Sequence, residues 1–223
     1  RQPEAVAEFI HKFGIHSYVD PVPALCVGTS DFSLFELVGA YGTFANRGVH
    51  IDPIFVTRIE DRHGNVLANF TAPAQDAISE QTAYTMLGML KNVINAGTAG
   101  RIRALGITAD MGGKTGTTQN NSDAWFVGVT PKLVAGVWVG GEDRSIHLSS
   151  GGEGSRRFHQ AGLQRTEARN HAERSVPDTG RRGFLRLRRE RRPLPRIADA
   201  RRRVFRLAFR FDSRFRRFEK TIV

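Results

Sequence analysis

Near residue 155 this 223-residue chain changes character, and that break constrains what it can fold into. Residues 1–155 carry 11 Lys and Arg against 15 Asp and Glu, whereas residues 156–223 carry 22 against 7. The net charge of +11 therefore comes entirely from the second segment. About a third of the positions there are Arg, a residue rarely buried without a partner, so the segment is not expected to supply a core. Its basic residues are 21 Arg and a single Lys, Lys220, against 7 Arg and 4 Lys before the break. Either cation serves on a solvated surface, so the bias points to nucleotide composition rather than chemistry. The expectation is a folded segment over 1–155 and an Arg-rich tail over 156–223. That tail is read as disordered or non-native, the product of a frameshift near Arg156, and not as a domain.

The first segment is well punctuated. Residues 4–13 place Val6, Phe9, Ile10 and Phe13 on one helical face, with Gly14 set to end the helix. Ser30 or Asp31 is expected to cap a second helix, in which Leu34, Phe35, Val38, Tyr41, Phe44 and Ala45 recur at helical spacing. Residues 54–59 and 66–70 alternate around Asp61-Arg62-His63-Gly64-Asn65 and read as a hairpin. Ser79 caps a third helix running to about Ala96, whose buried stripe is expected to be Met86, Leu87, Leu90, Val93 and Ile94. Residues 124–129 and 133–139 form a second hairpin around Thr130-Pro131-Lys132, with Trp125, Phe126 and Trp138 as core and cross-strand packing.

Several classes of function find no support. The single cysteine, Cys26, cannot form an internal disulfide and is expected to be a small buried residue. The seven histidines fall at no metal-ligand spacing, so neither a metal site nor a cofactor is expected. There is no apolar run of about 18 residues and no N-terminal segment of signal-peptide type. A tail of this charge attracts polyanions through counterion release. No recognition module accompanies it, so a specific nucleic-acid partner is not expected; binding nucleic acid through the tail stands as a competing reading.

The stretch that carries chemistry is Gly112-Gly113-Lys114-Thr115-Gly116-Thr117-Thr118, followed by Asp123-Ala124-Trp125-Phe126-Val127-Gly128 at the start of a hairpin. Lys114 offers a cation to a carboxylate, Thr115 and Thr117 offer hydroxyl donors, and Gly116 lets another backbone approach the strand. The extended pattern resembles the third active-site motif of penicillin-binding proteins and serine β-lactamases. It is most similar to the C-terminal part of the transpeptidase domain of class A (bifunctional) penicillin-binding proteins. The run from Leu37 to Gly48, Pro53 to Asn65 and Ala96-Gly97-Thr98-Ala99-Gly100 agree with that family in order and spacing.

The resemblance implies an α/β (α+β) fold, with a mostly antiparallel sheet flanked by helices, present here in incomplete form. It implies a serine D-Ala-D-Ala transpeptidase that cross-links peptidoglycan stem peptides and is acylated by β-lactams. Lys114, Thr115, Gly116 and Thr117 are then substrate-binding, Lys114 is also catalytic, and the backbone N–H of Thr117 is an oxyanion-hole donor. The parent would sit anchored in the cytoplasmic membrane through an N-terminal segment absent here, with this domain outside. A related β-lactamase or D,D-carboxypeptidase is the alternative within the same fold.

Two family motifs are missing. No Lys has Ser three residues before it, and no Asn has Ser two residues before it. The chain is therefore expected to lack the nucleophile and, on its own, to have no acyl-transfer activity. A partial core is also expected to leave apolar faces exposed.

Overall fold

Residues 123–139 alternate between two sets of apolar side chains, and each set needs its own cover. The computed structural model supplies both. It describes residues 2–141, 143, 145–150, 202–212 and 217–221, the last two stretches as backbone. Strands β6 (Asp123–Val129) and β7 (Leu133–Gly141) pair antiparallel, with Trp125 opposite Trp138 and Val127 opposite Gly136. Every residue of both strands is buried or half-buried.

One face of the hairpin presents Ala124, Phe126, Ala135, Val137 and Val139 to Ile94, Ala99, Ile102 and Met111. Ile94 lies on α3 (Glu80–Asn95), Ile102 on α4 (Arg101–Ala104), Ala99 between the two helices, and Met111 directly before the strand at 112–117. The other face presents Val127, Val129 and Val134 to Val38 on α2 (Leu34–Ala45) and to Ile51 on β1 (Val49–Ile51). The result is a helix–sheet–helix layering in which alternate residues of one hairpin serve two cores. A third cluster joins Ala7 on α1 (Pro3–His11) to Ile15, Val19, Leu25 and Ala40.

The expected helices are present with small shifts. The cap of α2 is Ser33, not Ser30 or Asp31. Its hydroxyl accepts from Glu36 N, and the Glu36 carboxylate accepts from Ser33 N. That reciprocal pair satisfies two donors at once, which neither earlier residue can do without a Glu or Gln three positions on. The same carboxylate accepts from the backbone of His16 and from the backbone and hydroxyl of Ser17. Burial alone would raise the Glu36 pKa, but these bonds bring it down to about 2.

Within the expected stripe of α3, Leu90 and Ile94 are buried and Leu87 and Val93 half-buried, whereas Met86 is exposed. Ala83 takes the inward place one turn earlier. Cys26 is exposed, contrary to expectation. The short 3-10 turn Pro23–Val27 points Leu25 inward, which turns its neighbour out.

The first hairpin is shorter than its alternation suggested. Only β2 (Arg58–Glu60) and β3 (Val66–Asn69) pair, with an irregularity between Ile59 and Glu60. At its base β1 pairs with β4 (Ala74–Asp76), a two-stranded element too short to leave a periodic signal.

The main sheet has five strands, antiparallel throughout, in an order that starts at β5 (Gly112–Thr117) and runs β5-β6-β7-β8-β9. Its last two, β8 (Arg202–Asp212) and β9 (Arg217–Thr221), lie in the Arg-rich segment, into which the expected sheet did not extend. The signal is there in the sequence, because Phe205, Leu207, Phe209 and Phe211 alternate with Arg206, Ala208 and Arg210. In the backbone register Leu133 to Gly141 pair with Arg210 to Arg202. The expected frameshift point at Arg156, and the stretch up to residue 201, lie outside the described residues.

Candidate active site

Strand β5 (Gly112–Thr117) begins inside the protein and ends at its surface. Gly112 and Gly113 are buried, Thr115 and Gly116 are half-buried, and Lys114 and Thr117 are exposed. The inner end is set by close packing. A Cβ on Gly112 would lie 2.8 Å from Leu90 Cβ and 3.1 Å from the Leu90 carbonyl carbon, so α3 crosses the strand where only glycine fits. The outer end is set by pairing, with Lys114 opposite Val127, Thr115 opposite Phe126, Gly116 opposite Trp125 and Thr117 opposite Ala124. On its other side β5 meets no described strand, so it is the edge of the sheet.

The four residues singled out from the sequence thus stand consecutively on one exposed edge. Lys114 Nζ donates to the carbonyl of Thr115 at 2.6 Å and has no acidic partner among the described residues. The Thr115 hydroxyl lies 2.7 Å from that of Thr98, in the turn after α3. Beyond Thr117 the chain reverses through Thr118–Ser122, with Asn120 and Asn121 in the left-handed region at φ 55° and 57°. Asp123 fixes this reversal. Its Oδ2 accepts from the Thr118 hydroxyl at 2.9 Å, its N–H donates to the same hydroxyl at 2.8 Å, and its Oδ1 accepts from Trp138 Nε1 at 2.9 Å. Leu148 N–H donates to the Asn121 carbonyl at 2.8 Å, holding residues 145–150 against the turn.

Such an edge suits an extended, anionic ligand: backbone groups for strand addition, a cation without a carboxylate partner and hydroxyl donors beside it. Neither the Thr98–Thr115 contact nor the role of Asp123 was anticipated. The first joins residues 17 apart across two elements, and no local pattern in the sequence announces it. Among the described residues no group of three His, Cys, Asp or Glu side chains could hold a metal ion, and no helix is long and apolar enough to cross a membrane.

Comparison with known proteins agrees with this fold. The penicillin binding protein transpeptidase domain family matches residues 24–146, and the chain belongs to that family. Its similarity is to the transpeptidase domain of class A members. Penicillin-binding protein 1A of Aquifex aeolicus is 36% identical over 137 residues, which are 61% of this chain and 18% of that protein. The crystal structure of penicillin-binding protein 1A from Haemophilus influenzae superposes with a TM-score of 0.59 at 27% identity, over 67% of this chain and 28% of that one. PonA1 of Mycobacterium tuberculosis in complex with penicillin V gives 0.56 at 28% identity, over 66% and 43%. The chain therefore spans about a fifth of the length of the curated relative. The expected α/β fold of antiparallel sheet and flanking helices is the one found.

Proposed function

We propose that this chain supplies one wall of a serine acyl-transfer site that cross-links peptidoglycan stem peptides. The observation that carries the reading is the run Lys114-Thr115-Gly116-Thr117 on the exposed edge strand, within the segment shared with the family. A stem peptide would lie along β5 by strand addition, its terminal carboxylate against Lys114 and the hydroxyls of Thr115 and Thr117. The Thr117 N–H would stabilise the oxyanion, a contribution of roughly 3 kcal/mol per donor in well-studied hydrolases.

The serine hydroxyl adds to the carbonyl of the D-Ala-D-Ala bond, the C–N bond breaks, and the terminal D-Ala leaves with a proton. An amine of a second stem then displaces the ester and restores the hydroxyl. β-Lactams would acylate the same serine. PonA1 binds penicillin V, and extending that ligand class to this chain is part of the proposal.

No Ser-x-x-Lys or Ser-x-Asn occurs in the 223 residues, so the nucleophile must come from other residues of the parent protein. A glycosyltransferase domain and a membrane anchor in that parent, with this domain outside, belong to the same reading and rest on the class A relatives. The frameshift near Arg156 is part of the same reading and rests on the abrupt change in charge and the preference for Arg over Lys beyond residue 155.

A fluorescent penicillin tests the reading. The purified chain should show no covalent label. The chain co-produced with a segment bearing Ser-x-x-Lys and Ser-x-Asn should restore a label on that segment's serine. No label in the reconstituted protein would overturn it.

A further inference from the structure

The Thr98–Thr115 contact has a direction, and the direction follows from hydrogen bookkeeping. Each hydroxyl carries one proton, and a carboxylate only accepts. If Thr115 is to donate to a ligand carboxylate, its own proton must point outward, and the 2.7 Å contact must then be donated by Thr98. A hydroxyl that accepts one bond is polarised into a better donor for the next. We infer that Thr98 is a positioning residue. It holds the Thr115 hydroxyl in one rotamer and aims its proton along the edge of β5 at a ligand carboxylate. The inference rests on the function proposed above.

The fold gives Thr98 the rigidity for this. The turn after α3 is closed by Ala99 N–H donating to Val93 O and Gly100 N–H donating to Gly97 O, each at 3.0 Å. Gly97 lies flat on the end of α3, where a Cβ would stand 2.8 Å from Val93 Cα and 2.9 Å from Val93 O. Ala99 is wholly buried in the core below the sheet. Thr98 is held between these two anchors, and it is the exposed member of the turn whose side chain reaches β5. Thr115 is half-buried and would otherwise be free to rotate its hydroxyl towards water.

The test uses the full 223-residue chain with Thr98→Val and Thr98→Ser. Valine keeps the shape and removes the donor; serine keeps the donor. Far-UV circular dichroism first confirms that all three proteins are folded alike, as expected for an exposed position. Three-bond couplings to the Thr115 methyl then report its χ1. A single rotamer is expected in the wild type and in Thr98→Ser, and averaging between rotamers in Thr98→Val.

The second arm titrates N-acetyl-D-alanyl-D-alanine and its C-terminal amide, followed through the amide signals of Gly116 and Thr117. The wild-type preference for the carboxylate over the amide should fall about five-fold in Thr98→Val and survive in Thr98→Ser. A Thr115 that keeps one rotamer in Thr98→Val overturns the inference, as does an unchanged carboxylate preference. Absence of binding to all three proteins counts against the proposed function, while the Thr115 couplings still decide the role of Thr98.

Discussion

The indole N–H of Trp138 donates to Asp123 at 2.9 Å, and the other oxygen of that carboxylate takes the Thr118 hydroxyl just past the edge-strand motif. A strand two places into the sheet is thereby tied to the reversal that ends β5.

Asp123→Ala should therefore loosen the end of the site as well as the fold. It strands the Trp138 N–H and frees Thr118, for an expected loss of about 1–3 kcal/mol in urea unfolding. Asp123→Asn keeps an acceptor for one partner and should fall between Ala and wild type. Faster hydrogen exchange at the backbone of residues 117–122 in Asp123→Ala would accompany the loss.

Two glycines near α3 should respond in opposite senses to the same substitution. Gly112→Ala drives a methyl into Leu90 and should cost about 1–3 kcal/mol. Gly88 sits inside α3, where a Cβ would meet no described atom within 4 Å, so Gly88→Ala should add about 0.5–1 kcal/mol through helix propensity. Thermal unfolding of the pair reads both signs in one experiment.

Acid should weaken the packing around β1. His50 is buried, its Nδ1 3.1 Å from the Thr43 hydroxyl and its Nε2 3.0 Å from Asp52. Burial lowers its pKa below 6.5, the bond and charge of Asp52 oppose that, and His16 adds to it. The unfolded chain thus takes up the proton first. The stability held by neutral His50 is complete above pH 6.5 and is lost as the pH falls below it, by at most about 1.4 kcal/mol per pH unit. Unfolding free energies between pH 7.5 and 5 should show this slope, and His50→Gln should flatten it.

The first hairpin should make the chain self-associate. Ile59, Val66 and Leu67 on the two strands, and Phe55, Val56 and Phe70 beside them, are all exposed, Leu67 to 66%, and a two-stranded element has little core of its own. Light scattering of the purified chain should rise with concentration, and Leu67→Lys with Phe55→Ser should reduce it. An unchanged profile would place the association elsewhere.

Most of the helix–sheet–helix frame was legible because its signals are periodic. Leu90 and Ile94 on α3, and Val127, Val129, Val134 and Val137 on the β6–β7 hairpin, announce buried faces at the spacing of a helix and a strand. The motif on β5 was legible as a string of residue types. What stayed hidden lacks a period or spans the chain. Strands β1 and β4 are three residues each, and Cys26 is turned out by its neighbour Leu25. The exception is the alternation of Phe205, Leu207, Phe209 and Phe211, a period of two set in an arginine-rich stretch. Thr98 meets Thr115 only because α3 lies across β5.

The most direct measurement is the acylation rate of the reconstituted protein, with its Ser-x-x-Lys segment supplied, for wild type and Lys114→Ala. A fall of roughly 10- to 100-fold is expected with a carboxylate-bearing penicillin, the effect of removing a charged hydrogen-bond partner. An unchanged rate would contradict the claim that the edge of β5 is the ligand-binding wall of the site.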